Sequence, residues 1–184
     1  NSGAERAAWY LKLNYPLLDE VTFWQTGNDT TETLVTGDQR PFGSRAVDYR
    51  YFLLPVTLDG GETRSLTIRI HSNGALNVPL SFETPAEVIA RSNHLTLTHG
   101  LFYGALLVFA VFNLLLFFSS GTGYYFYNAF YLAALGLFLF AMGGFANQYF
   151  WPDNPGFANT SIPLSLSLCA LAMILFGRSF LEVD

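Results

Sequence analysis

Charge is what this chain most lacks. Between Arg91 and Asp153 there is no Asp, Glu, Lys or Arg, and that block holds two apolar stretches, about residues 100–118 and about residues 124–142. A third, about residues 162–180, carries the single charge of Arg178. At roughly 1.5 Å per helical residue, about 19 residues reach about 28 Å, the hydrocarbon thickness of a bilayer. A water-soluble helix of that length shows a polar face, and these show none. The chain therefore reads as a multi-pass membrane protein with lipid as its solvent. Cysteine is scarce too: Cys169 is the only one, which excludes an intrachain disulfide. Its place in the third stretch suits a small residue facing helix or lipid. A net charge of −5 with no basic patch excludes nucleic acid as a partner.

Catalytic patterns are missing as well. His71, His94 and His99 fit no metal-ligand spacing, and there is no HExxH. Gly43-Ser44-Arg45 is not a nucleophile elbow, and Gly121-x-Gly123 lacks the remainder of a phosphate loop. No ionisable residue lies at mid-membrane depth, which argues against a proton relay. No catalytic residue, metal or cofactor is assigned, and this portion is read as non-enzymatic. The chain opens without Met or a charged-then-apolar leader, so the expectation is a piece of a longer protein.

What is present divides sharply. Residues 1–98 hold 8 of the 9 basic and 11 of the 14 acidic groups. Residues 9–82 alternate with period two, the strand signature. Trp9, Leu11, Leu13 and Tyr15 form one row, and Phe52, Leu54, Val56 and Leu58 a second. Leu66, Ile68 and Ile70 form a third, and Leu76, Val78, Leu80 and Phe82 a fourth. Turn chemistry at Asn28-Asp29, Gly37-Asp38, Asp59-Gly60-Gly61 and Ser72-Asn73-Gly74 separates them. Five or six strands with one buried face predict an antiparallel sheet or sandwich, and the fold class taken is an N-terminal antiparallel β-sandwich over residues 1–84 followed by three transmembrane α-helices. Thr84-Pro85-Ala86-Glu87 is a capping box with proline at the first helical position. It opens a juxtamembrane linker, residues 85–98, that runs directly into the first span or bends near Ser92-Asn93-His94. The transmembrane region is residues 99–184, with helices at about 100–118, 124–142 and 162–180.

Within that region, Ser119–Gly123 is a tight reversal. Tyr124, Tyr125 and Tyr127 mark one membrane interface, and Tyr149, Phe150 and Trp151 the other. Asn159-Thr160-Ser161 and Pro163 open the third helix. Gly100 and Gly104 make a GxxxG, either a homodimer contact or close packing within one bundle. Asn113 and Asn128 fall at similar depth, so their amides can pair across the hairpin, a link worth roughly 0.6–2 kcal/mol. A polar site for an ion or ligand is the other reading of that pair. Three crossings put Asn1 and Asp184 on opposite sides, and the weak vote of Arg178 places Asp184 in the cytoplasm.

Several segments, in order, carry a resemblance. They are Tyr15-Pro16-Leu17-Leu18-Asp19-Glu20-Val21; Gly37-Asp38 with Pro41-Phe42, Arg45, Tyr51-Phe52 and Pro55; and Arg69-Ile70-x-Ser72 with Pro79-Leu80. Gly100-x-x-Tyr103-Gly104, Asn113-Leu114 and Gln148-Tyr149-x-Trp151-Pro152 follow. The chain resembles the bacterial seven-transmembrane receptors with diverse intracellular signalling modules. That resemblance implies an inner-membrane protein with a periplasmic jelly-roll sensor similar to carbohydrate-binding modules. It also implies seven helices and a diguanylate cyclase or histidine kinase output that is not in this stretch. Family members carry strands ahead of the segment matching Trp9, so the sandwich is expected to lack its first part. The implied partner is a periplasmic small molecule, carbohydrate included, or a protein. Asp38, Arg40 and Arg45 are then the polar candidates, against an Asp–Arg pair that only braces a loop. Trp24 and Tyr51, with Trp9 and Tyr10, are aromatic candidates, against core packing. A membrane transport or assembly subunit with a partner-docking β-domain is the alternative class.

Overall fold

The computed structural model describes residues 5–27 and 30–181. The expected turn at Asn28-Asp29 and both chain ends, Asn1 and Asp184, lie outside the described residues. Six strands form two antiparallel sheets: β1 (Ala7–Leu13), β2 (Glu20–Gly27), β3 (Thr30–Thr36), β4 (Phe52–Leu58), β5 (Ser65–His71) and β6 (Leu80–Glu83). One sheet has the order β4-β1-β6 and the other β3-β2-β5. Register puts Leu11 opposite Leu54 and Phe82 in the first sheet, and Phe23 opposite Leu34 and Ile68 in the second. Leu11, Leu13, Phe52, Leu54 and Val56 of one sheet meet Val21 and Phe23 of the other, with Leu18 closing the end. Period-two alternation thus builds one core between two sheets, as in a sandwich.

Two rows depart from the simple pattern. In the fourth apolar row only Leu80–Glu83 is strand, and Leu76, Leu80 and Phe82 are exposed. Leu80 and Phe82 sit opposite Leu13 and Leu11 and so share the inner face, but β6 is an edge strand of its sheet and both side chains stay more than half exposed. On the opposite face of the same sheet, Lys12 and Glu83 are almost wholly buried, where a solvated polar row is the ordinary expectation.

Helix α1 spans Pro85–Ser120, α2 Gly123–Met142 and α3 Pro155–Phe180. The capping box forms: Glu87 N–H donates to Thr84 Oγ1 at 3.3 Å while Thr84 N–H donates to the Glu87 carboxylate at 2.7 Å. The helix assignment of α1 is continuous through Ser92–His94. Gly121, at φ +70°, turns the chain between α1 and α2 in a conformation glycine adopts freely. The third helix begins earlier than the apolar run suggests. Asn154 Oδ1 accepts from Phe157 N–H at 3.1 Å, with Pro155 at the first helical position. Pro163 therefore lies inside α3 rather than opening it.

All three helices are long and apolar enough to cross a membrane, and none of the apolar window of α1 is buried. The structure divides into two compact units. One comprises residues 1–92 and 143–159, and the other residues 93–142 and 160–184. Within the helical unit, α3 buries Ser161, Ser165, Cys169 and Ala172, and α2 buries Ala129, Ala134 and Ala141. Small buried residues are what lets membrane helices approach closely.

Candidate functional site in the β3–β4 connection

The segment from Gly37 to Tyr51 is where the sheet unit concentrates buried charge. A Cβ on Gly37 would collide with the Asp19 carbonyl, so glycine there lets the chain press against the β1–β2 turn. Asp38 N–H then donates to Leu18 O at 2.8 Å, and the Asp38 side chain is carried inward to 3% exposure. Its carboxyl has a neutral neighbour, Asn159 Nδ2, at 3.4 Å. Burial, the largest cause, raises its pKa to about 6, and Asp19 adds to the rise. The Asn159 bond and Arg45 act against it.

Arg45 braces the same connection. Its guanidinium lies over the rings of both Phe42 and Phe52, at 4.6 and 4.3 Å from their centroids, in cation–π contact with each. Nη1 donates to the carbonyls of Tyr49, at 3.1 Å, and Arg50. Nε and Nη2 are buried without a hydrogen-bond partner among the described residues, and burial lowers the pKa to about 10. Asp38 and Arg45 form no direct ion pair; Arg45 acts on Asp38 only at longer range.

Two further parts of the unit converge on this connection. The first is the foot of α1. Lys12 Nζ lies 3.3 Å from Glu83 Oε2, and Arg91 Nη1 lies 3.0 Å from Glu83 Oε1. The rings of Tyr49 and Tyr51 stand 5.7 and 5.6 Å from Lys12 Nζ. Burial lowers the Lys12 pKa, with Glu83 opposing. Tyr49, raised mainly by burial, also hydrogen-bonds Ser92 of α1. One buried carboxylate thus ties strand β1 to the second turn of α1.

The second part is residues 143–159. Gly144, at φ +78°, leaves no room for a Cβ beside Pro16. Arg50 lies 4.5 Å from the Phe145 ring, Gln148 Nε2 donates to Asp48 Oδ1 at 3.0 Å, and Phe42 N–H donates to Pro152 O at 2.7 Å. With Asn159 on Asp38, these contacts run the whole length of the segment.

Of the residues singled out from sequence, Asp38, Arg45 and Tyr51 fall on or beside this connection. Arg40 is on its exposed part. Trp24 is half-buried on the second sheet, paired between Thr33 and Thr67. Trp9 instead lines a cleft of about 310 Å³ with Val56, Leu58, Arg64, Leu66 and Phe82, apolar but for Arg64, whose Nε pairs with Glu62 at 2.6 Å. In the helical unit, Asn128 Nδ2 donates to Asn113 Oδ1 at 2.9 Å. A Cβ on Gly100 or Gly104 would meet nothing within 4 Å, so neither glycine packs against another described helix. Lys12, Glu83 and Asn159 were not legible as site residues. The nearest signal was Gln148-Tyr149-x-Trp151-Pro152, which the sequence offered as an interfacial belt and as part of the resemblance, not as a partner of the sheets. Among the described residues no group of three or more His, Cys, Asp or Glu is placed to hold a metal.

A β-sandwich followed in one chain by membrane-length helices defines a membrane protein with a separate N-terminal domain. Residues 1–84 match the family model described as 7TMR-DISM extracellular 2, and residues 95–184 match 7TM diverse intracellular signalling. The chain belongs to the seven-transmembrane receptors with diverse intracellular signalling modules, a family of sensory transmembrane receptors. No curated protein and no solved structure matches it.

Proposed function

We propose that this chain is the sensing and transmitting part of a bacterial inner-membrane receptor. The β-domain stands in the periplasm, meets a small molecule or a protein, and biases the helices toward one of two arrangements. A cytoplasmic output module, a diguanylate cyclase or a histidine kinase, carries the chemistry, and residues 5–181 serve in sensing and transmission. A ligand shifts such an equilibrium only by its differential affinity for the two states. Family membership favours this reading over a transport or assembly subunit.

The observation that carries it is the Lys12–Glu83–Arg91 network. A buried carboxylate shared by the sheet and α1 makes the foot of the helix answer to the packing of the domain. In the full-length receptor, Glu83→Gln is expected to shift basal output several-fold while the protein still inserts in the membrane. Output identical to the parent would remove this route. Topology is tested separately, in a Cys169→Ser background, with single cysteines at Asn73 and Ser120. A membrane-impermeant maleimide applied to spheroplasts should label the first and not the second, and labelling of Ser120→Cys from outside would overturn the orientation.

A further inference from the structure

Residues 143–154 join two membrane-length helices, yet together with the first turn of α3, through Asn159, they pack as part of the sheet unit. Such a connection is ordinarily a surface loop; here Ala146, Asn147 and Ala158 are buried. Gln148 donates to the exposed Asp48 carboxylate, Phe42 offers backbone, and the Arg50 guanidinium stands over the Phe145 ring. Asp38 differs from these, since it is an acid buried at the far end of the segment. Asp19 from the β1–β2 turn and Arg45 from its own connection are the charged groups that act on it, and residues 143–159 present only the neutral amide of Asn159.

We propose that residues 143–159 form a proton-gated latch on the extracellular domain, with buried Asp38 as the gate, held shut by acid and loosened at neutral pH. In the closed state the Asp38 carboxyl is out of water without a cation at ion-pair distance, so its neutral form is favoured. In the open state it is hydrated and returns to the ordinary carboxylate range near 3.8. The closed state therefore binds more protons than the open state between about pH 4 and about pH 6. Lowering pH through that window favours closure, and above it the closed state bears the cost of a buried charge. On the function proposed above, the latch would report acidity outside the membrane to the helices it joins, α2 and α3.

Hydrogen exchange of the whole chain in lipid nanodiscs, corrected for intrinsic rates, tests this. Peptides from 143–159 should be protected about tenfold more at about pH 5 than at about pH 7.5. Asp38→Asn, a neutral isostere, should hold the acid level of protection at both values. Asn159→Ala removes the bond that favours the ionised form, so it should move the midpoint of the transition upward. That variant carries the test if Asp38→Asn deprotects β4 as well. Equal protection at both pH values, a pH dependence that survives Asp38→Asn, or a segment unprotected throughout would each overturn the latch. The measurement reads the latch itself, so a receptor whose output ignores pH would count against the transmission reading and leave the latch standing.

Discussion

The two units of this protein solve opposite solvent problems. The sheet unit buries alternating apolar residues between two sheets and spends its polar groups on a few enclosed contacts, Lys12 with Glu83 and Asp38 with Asn159. The helical unit exposes Leu, Val and Phe outward and buries Ser161, Ser165, Cys169 and Ala172. In water, burial of large apolar side chains drives association, and buried charge has to be paired. In lipid, a leucine gains nothing by leaving its surroundings, so small residues and amide pairs decide which faces meet. Where each kind of residue is hidden therefore tells which solvent surrounds it.

That contrast can be broken most easily at Glu83. Glu83→Ala leaves Lys12 enclosed without its partner and should cost about 3–5 kcal/mol, read from exchange protection of β4. Replacing both, Lys12→Met with Glu83→Leu, should recover most of that loss, and a double variant as unstable as the single one would show that the pair is not the cause. Charge placed in the other unit gives the next effect. Leu107→Arg, on the exposed face of α1, should cost about 2.5–3.5 kcal/mol of membrane insertion. The same arginine at exposed Thr67 of β5 should change stability by less than about 0.5 kcal/mol. Equal effects at the two positions would contradict lipid around α1. Smaller again is Arg45→Lys, which keeps the charge and loses the guanidinium's contact with the rings of Phe42 and Phe52. A loss of about 1–2 kcal/mol is expected in denaturant titration. The smallest is the Asn113–Asn128 pair, whose double-mutant cycle to alanine should show about 0.6–2 kcal/mol of coupling. Additive losses would remove it.

Much of this architecture was readable before any coordinates. The absence of charge between Arg91 and Asp153 announced the spans, Thr84 and Glu87 announced the start of α1, and alternation announced the strands. Asn113 and Asn128 were legible because a short hairpin sets their depth. What escaped notice depends on distant partners. Lys12 and Glu83 are 71 positions apart, and Asp38 and Asn159 are 121 apart. Period-two reasoning put Leu80 and Phe82 on the inner face but carried no information about how far the second sheet extends. The start of α3 was missed because Asn154-Pro155 lies outside the apolar run that marks the span.

By itself, then, the order of residues determined where the chain lives in water and where in lipid, which stretches are strand and which helix, and how α1 begins. Those are matters of periodicity, capping and transfer free energy, each settled within one continuous stretch of chain. Tertiary structure alone decided that residues 143–159 belong with the sheets, that Glu83 joins Lys12 to Arg91, and that Asp38 is enclosed. Such features arise only when segments remote in sequence exclude water from the same space, and the burial that results sets the protonation and the grip of the groups inside.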